Sequence, residues 1–332
     1  MKYKRLLQIK TTIIILILML MPNLAWSETF RVSKVNTSEI KQMPGFESTV
    51  KMGINDALLI TLPEDRVFIE GLELKMEIPE SVAYWMDSVA CSVYSEIKPE
   101  PSSKQIDYSG TRAFVQTLPG KLSWVLQIPV TNDNTLKTSK YVTKIDNVII
   151  PQNNKVFLRL QPVMKGVPEE TLKAIIPITV RPLLIDKGQL TLQLKAPKTH
   201  ENLAPCTVYI DEIPVDYKNR IILATGVHNI SVISEAYRNE NRTVRIDQAK
   251  NTELSIDLKS IEPTLLINAP EGTKILLDNE ECTTTGTEFV IAEGEHKLNF
   301  SIGNYEITRT ITAIKGKTYT ANFSLHLQIS EE

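Results

Sequence analysis

Four histidines (His200, His228, His296, His326) and three cysteines (Cys91, Cys206, Cys282) hold most of the nucleophilic and metal-binding capacity of this 332-residue chain. Their spacing argues against such chemistry. No His-x-x-x-His, Cys-x-x-Cys or Gly-x-Ser-x-Gly pattern occurs, so neither a zinc hydrolase nor a serine hydrolase is supported. The sequence has no glycine-rich phosphate loop. The cysteines are too scattered for a metal site and too few for a disulfide framework. They read as small buried apolar side chains, with a Cys206–Cys282 bridge as the alternative. Catalytic and metal-binding residues are therefore assigned to none, and no cofactor is expected.

Two features retain chemical capacity. Carboxylates are plentiful, as at Glu64-Asp65 and Glu280-Glu281, and a glycosidase needs only two at the right separation. Runs of that kind are normally solvated on turns. Asp211 and Asp278 also sit at turns, where a lone Asp bonds its own backbone; a calcium site needs about six oxygens or more. The second feature is the aromatic cluster Tyr84-Trp85-Met86, which follows Pro79 and lies between strands. Exposed rings there could stack on a sugar or a partner, and burial of one ring is the alternative. Tyr84 and Trp85 are the candidate ligand-binding residues. Trp124 alternates with Leu122 and Leu126 and reads as core.

The elements around these residues are all β. From about 53 to 180, eight runs rich in Val, Ile, Leu and aromatics are bounded by Pro, Gly, Asn and Asp. They are 57–62, 67–78, 89–94, 112–118, 122–128, 147–150, 156–161 and 175–180. That density predicts a β-sandwich. Gly71, inside its run, marks a bulge. Residues 168–173 have room for one helical turn, and the loops 99–104 and 132–140 read as exposed connections. Residues 28–47 show no clear period and are expected to form an extended arm.

The first 27 residues read as a secretory signal peptide. Lys2, Lys4, Arg5 and Lys10 precede the apolar run 13–21, and Ala25-Trp26-Ser27 ends it with small residues at the positions a signal peptidase reads. The run is about half of the ~20 residues a bilayer span requires. Of the 37 Lys+Arg, four fall in this segment, leaving 33 against 39 Asp+Glu and a formal net of −6. Mild acidity with no basic patch makes nucleic acid a poor partner.

The C-terminal part repeats itself. Ala196-Pro197, Asp211, His228, Tyr237 and Leu258 recur as Ala269-Pro270, Asp278, His296, Tyr305 and Leu325, at offsets of 73, 67, 68, 68 and 67. The fall from 73 to 67 places six extra residues in the first copy, at 198–206. Each copy alternates with period two and predicts about five short strands. His228 and His296 occupy one repeat position, which marks them as scaffold, because an active site gathers different residues at one point.

These landmarks resemble a known module. Ala269-Pro270-Glu271-Gly272-Thr273, then a strand and Asp278, then Glu293-Gly294-Glu295-His296 and Gly303-Asn304-Tyr305 are similar to a PEGA domain. The family is named for a Pro-Glu-Gly-Ala tetrad, three of whose positions are matched by Pro270, Glu271 and Gly272. The first copy departs from the pattern with Pro197-Lys198-Thr199, and Glu212 and Asn279 stand where the family usually has Gly. Covering residues 188–327, the resemblance implies small β-sandwich-like modules of bacterial surface and envelope proteins, with no known catalytic apparatus.

The expected architecture is all-β. It comprises a signal peptide (1–27), an arm (28–47), an N-terminal β-sandwich (48–187) and two small β-sandwich-like repeats (188–260 and 261–327). The expected role is that of a non-enzymatic, exported envelope protein in the periplasm or at the cell surface, its tandem domains serving as spacer or adhesive array. A protein or an envelope polysaccharide is its partner. Carbohydrate or peptidoglycan binding is the alternative function, and an envelope hydrolase ranks last.

Overall fold

A computed structural model of the chain describes residues 27–325 apart from 103, 152 and 198–201. The signal peptide, His200 and His326 lie outside the described residues, save Ser27. The chain divides into two compact units, the first ending at Asp186 and the second beginning at Lys187.

The first unit contains β1 (Ser27–Arg31), β2 (Val35–Glu39), β3 (Ser48–Gly53), β4 (Ala57–Thr61), β5 (Ile69–Glu77), β6 (Val89–Lys98), β7 (Asp107–Thr117), β8 (Ser123–Pro129), β9 (Val142–Lys144), β10 (Lys155–Pro162) and β11 (Ile175–Leu184). Two short helices interrupt them, α1 (Glu80–Tyr84) and α2 (Glu169–Leu172). A six-stranded sheet runs β1-β7-β6-β10-β4-β2 and a five-stranded sheet runs β3-β11-β5-β8-β9. Leu58, Ile60, Val93, Leu158 and Leu160 from the first meet Met52, Leu72, Leu74, Leu126 and Ile178 from the second in one core. This is the sandwich that the alternating runs predict.

The six-stranded sheet is buried on its other face as well. Ala57, Leu59, Tyr94, Tyr108 and Phe157 form a second cluster there, against which Phe30 packs. The Phe30 and Tyr94 ring centroids are 4.5 Å apart, and the Arg159 guanidinium lies 4.8 Å from the Phe30 centroid. Burial on both faces explains why 57–60 and 156–158 are continuous apolar runs rather than alternating ones.

The same cluster corrects the expectation of an arm at 28–47. β1 pairs antiparallel with β7 and β2 pairs parallel with β4, so both belong to the sandwich. Ile40 enters the main core, and the Gln42 side chain accepts the Phe68 N–H at 2.8 Å. Period-two alternation is too brief here to show, because Phe30 and Val35 are the apolar residues that the two five-residue edge strands pack inward.

Two smaller expectations also change. Residues 147–150 are not a strand; Ile149 plugs the core from a loop, and the fifth strand of that sheet is β9. Leu122 does not share the burial of Trp124 and Leu126 but lies exposed. The 132–140 loop is largely exposed, as expected, and is tied down where buried Glu70 accepts the Thr135 backbone N–H at 2.7 Å. Other expectations hold: residues 169–172 make one helical turn, and the β5–β11 ladder shifts register at Glu70, beside Gly71. A Cβ on Gly71 would stand 2.6 Å from Leu136 Cδ1 and 2.9 Å from the Ile128 carbonyl oxygen, so only Gly fits there.

The second unit holds two copies of one seven-stranded module, where about five strands each were expected. The first copy comprises β12 (Lys187–Lys195), β13 (Thr207–Ile210), β14 (Ile213–Val215), β15 (Ile221–Ala224), β16 (Gly226–Ile233), β17 (Glu240–Ile246) and β18 (Asn251–Asp257). The second comprises β19 (Thr264–Asn268), β20 (Lys274–Leu277), β21 (Glu280–Glu281), β22 (Phe289–Val290), β23 (Gly294–Ile302), β24 (Tyr305–Ala313) and β25 (Thr318–Asn322). Their sheets correspond strand for strand, β15-β12-β18 with β22-β19-β25 and β14-β13-β16-β17 with β21-β20-β23-β24. In each copy the first and last strands pair in parallel.

The ladders refine the repeat register. Leu190 pairs with Ile221 and Leu192 with Leu254, whereas Leu265 pairs with Phe289 and Ile267 with Ala321. Leu190 therefore matches Leu265, an offset of 75, and the two Ala-Pro dipeptides are not equivalent. The first copy carries eight extra residues before its second strand instead of six. A slip of two keeps every side chain on its own face, which is why alternation did not reveal it.

Those extra residues reshape the other end of the module. In the second copy the β23–β24 hairpin pairs out to Ile302 and Tyr305, and Tyr305 is half exposed beside Phe323. In the first copy pairing stops at Val232 and Glu240, and Tyr237 turns inward. Its hydroxyl oxygen accepts the Ala204 N–H at 2.9 Å. Aligned tyrosines thus have opposite surroundings.

Candidate functional site

Tyr84 and Trp85 sit at one end of the sandwich. Pro79 sets the entry to α1, Val82 anchors the helix in the core, and the Thr171 hydroxyl just after the start of α2 donates to the Ser81 carbonyl at 3.0 Å. After the helix, Asp87 adopts a positive φ of 64° and its carboxylate accepts the Thr117 hydroxyl at 2.5 Å. The turn bearing the rings is held from both sides. Tyr84 is 84% exposed, Met86 is 58% exposed, and Trp85 is half-buried. The two rings meet edge to face, 6.4 Å apart at 70°. A Cβ on Gly120 would come within 3.1 Å of Met86 Cε, which puts the tip of the 118–122 turn against Met86.

The histidines are built into the scaffold in the same way twice. His228 Nδ1 lies 2.6 Å from Asp211 Oδ2 and Nε2 lies 2.9 Å from the Ala224 carbonyl oxygen; His296 stands 2.6 Å from Asp278 and 2.8 Å from the Ala292 carbonyl. The second oxygen of each Asp accepts a backbone N–H, from Asn229 or Lys297. A carbonyl and a carboxylate can only accept, so the imidazolium, which donates from both nitrogens, is the form of the ring that satisfies both partners. Burial pushes the His228 value down, but the Asp211 carboxylate and the Ala224 carbonyl outweigh it and leave it above 6.5. For His296 the Asp278 carboxylate leads, and the shift is also upward. Asp211 is held below the usual carboxylate range by the Asn229 amide and then His228, Asp278 by His296 and then the Lys297 amide. In that form neither ring keeps a lone pair for general-base work.

The same aspartates open two-residue hairpin turns with both central residues at positive φ, Asp211 and Glu212 at 47° and 70°, Asp278 and Asn279 at 52° and 72°. Glutamate is a poor occupant of that conformation, and asparagine a tolerable one. Glu212→Gly is expected to raise the urea midpoint of the first repeat, a gain of about 1 kcal/mol. Asn279→Gly gives less.

The cysteines fall where small apolar residues fit. Cys91 is wholly buried, which pushes its thiol up, and Cys206 and Cys282 are half-buried free thiols. Among the described residues, no three His, Cys, Asp or Glu side chains come together as a metal site. No helix of the described residues is long and apolar enough to cross a membrane.

No protein-family model and no curated protein matches the chain. Among solved structures it is similar in part to the Bacillus anthracis TIE protein, at 11% identity and a TM-score of 0.24, over 89% of this chain and 57% of that one. It is also similar to GBS52, the minor pilin of Streptococcus agalactiae, at 13% identity and a TM-score of 0.15, over 44% of this chain and 100% of that one. The pilus adhesin SpaC from Lactobacillus rhamnosus GG matches at 9% identity and a TM-score of 0.22, over 87% of this chain and 38% of that one. Overlaps this loose carry no argument about family or activity.

Proposed function

We propose that the chain is a non-enzymatic, exported envelope protein that binds a cell-envelope polysaccharide through Tyr84 and Trp85. Its tandem modules, which resemble PEGA domains, act as a spacer or adhesive array. The observation that carries this reading is the Tyr84 ring, 84% exposed on a turn braced by Thr171 and Asp87. A ring fixed on a braced turn offers a stacking face at little entropic cost. Both described histidines are tied through both ring nitrogens to a scaffold carboxylate and carbonyl, which supports a structural role for them. A protein partner is the second reading, favoured by exposed Met86 next to the rings. Retention on purified sacculi, compared between the native chain and Tyr84→Ala/Trp85→Ala, tests it.

A further inference from the structure

The divergent end of the first repeat opens a cleft against the second. The cleft holds about 660 Å³, within the range of small-ligand sites. Arg238 enters it because the β16–β17 connection leaves the hairpin path at Val232. At the equivalent place, one residue past the aligned tyrosine, the second repeat has Glu306. The Arg238 Nε–H donates to the Ser260 carbonyl at 3.0 Å and Nη2–H to the Thr318 hydroxyl at 3.2 Å, so the guanidinium plane is fixed across the junction. Nη1 makes no hydrogen bond among the described residues. On the other wall the Glu288 carboxylate accepts the Thr264 hydroxyl and, at 3.4 Å, the Thr318 hydroxyl. Lys259 and Thr287 also line the cleft, with Pro197, Leu258 and Gly286. Neither basic group closes an ion pair with Glu288.

We propose that this cleft binds a uronic-acid unit of an acidic polysaccharide. Two cations against one anion leave a local charge of +1, which suits a monoanion. A fixed guanidinium takes a carboxylate in paired, charge-assisted bonds. Glu288 accepts hydroxyl protons from the sugar ring, and the Thr287 hydroxyl serves as donor or acceptor. A phosphate or a simple anion would leave Glu288 facing negative charge, and a neutral sugar would leave Arg238 unmatched. The site shares no residue with Tyr84 and Trp85, so either can fail alone.

Isothermal titration of the full-length chain with tetragalacturonate tests the proposal. Saturable binding is expected, weakened at least about ten-fold by Arg238→Gln, as loss of a charged hydrogen-bond pair predicts. Thr287→Trp, which fills the cleft from an exposed position, abolishes binding and decides the matter if Arg238→Gln loses its circular dichroism. Cellotetraose and tripolyphosphate bind at least about ten-fold more weakly than tetragalacturonate. Monomeric glucuronate competes, and Tyr84→Ala/Trp85→Ala leaves the titration unchanged. Absent or non-saturable binding, equal binding of cellotetraose or tripolyphosphate, or undiminished binding by Thr287→Trp overturns it.

Discussion

Replacing Gly188 by Ala is expected to lower the melting midpoint of the first repeat by about 15 °C, taking about 3 kcal/mol on a module of this size. Gly188 lies in β12, where the β17–β18 turn folds down onto the strand. A Cβ there would stand 2.3 Å from the Asp247 carbonyl oxygen, 2.7 Å from Ile246 Cγ2 and 3.1 Å from the Lys250 carbonyl oxygen. Two of these atoms are backbone, so no rotamer change relieves the clash. The turn must lift, breaking the bonds from Gln189 N–H to the Lys250 carbonyl and from Ala249 N–H to the Lys187 carbonyl, both 2.8 Å. All three tryptophans, Trp26, Trp85 and Trp124, precede the repeats, so tryptophan emission reports on the first unit alone. Far-ultraviolet circular dichroism should show the early transition while tryptophan emission keeps its native midpoint. Coincident, unshifted transitions would show that the turn accommodates the methyl group.

The second large effect concerns pH. A histidine raised in the folded state stabilises fully below its unfolded value of about 6.5, and this contribution disappears as pH rises through the folded value. A depressed aspartate stabilises above its unfolded value of about 3.9, and its contribution is lost as pH falls through the folded value. Both directions hold at Asp211–His228 and Asp278–His296. The repeats should therefore be most stable between about pH 4 and 6.5, and lose stability as alkali removes the ring protons. His228→Gln/His296→Gln should flatten the alkaline limb and weaken the repeats at pH 6 by about 1 kcal/mol per ring, the lower end for charged bonds at partly exposed groups. Urea midpoints followed by circular dichroism across this range check the slope. Imidazole nitrogen resonances check the cause, and neutral tautomers at pH 6 would contradict it.

Much of this architecture was legible because sandwiches write a period of two into their strands. Leu190, Leu192, Val208, Ile210, Ile230 and Val232 all face the core their alternation predicts. What stayed hidden had a physical reason in each case. The strands at 27–31 and 35–39 are edge strands too short to show a period. The sheet they join is buried on both faces over much of its area, so β4 and the buried stretches of β6 and β10 do not alternate. The Ala-Pro landmarks misaligned the repeats by two residues, a slip invisible to pleat parity and resolved only by the ladders. Asp211 and Asp278 were readable as turn residues, but their bonds to His228 and His296 join positions 17 and 18 residues apart through strand pairing. The cleft at Arg238 left one trace in the sequence, the reversal to Glu306 in the second copy, and no motif.

Among the site residues, Tyr84 and Trp85 were legible by type and by their place after Pro79. Their exposure was not, since a ring between two strands is as readily buried as displayed. The decisive measurement is the retention of the full-length chain on purified sacculi, with tryptophan emission confirming an intact first unit. The native chain should be retained, and Tyr84→Ala/Trp85→Ala should lose at least about ten-fold in apparent affinity, as for removal of two stacking anchors. Equal retention of the two proteins, or release of soluble fragments from the sacculi, would contradict a non-enzymatic polysaccharide binder that works through these rings.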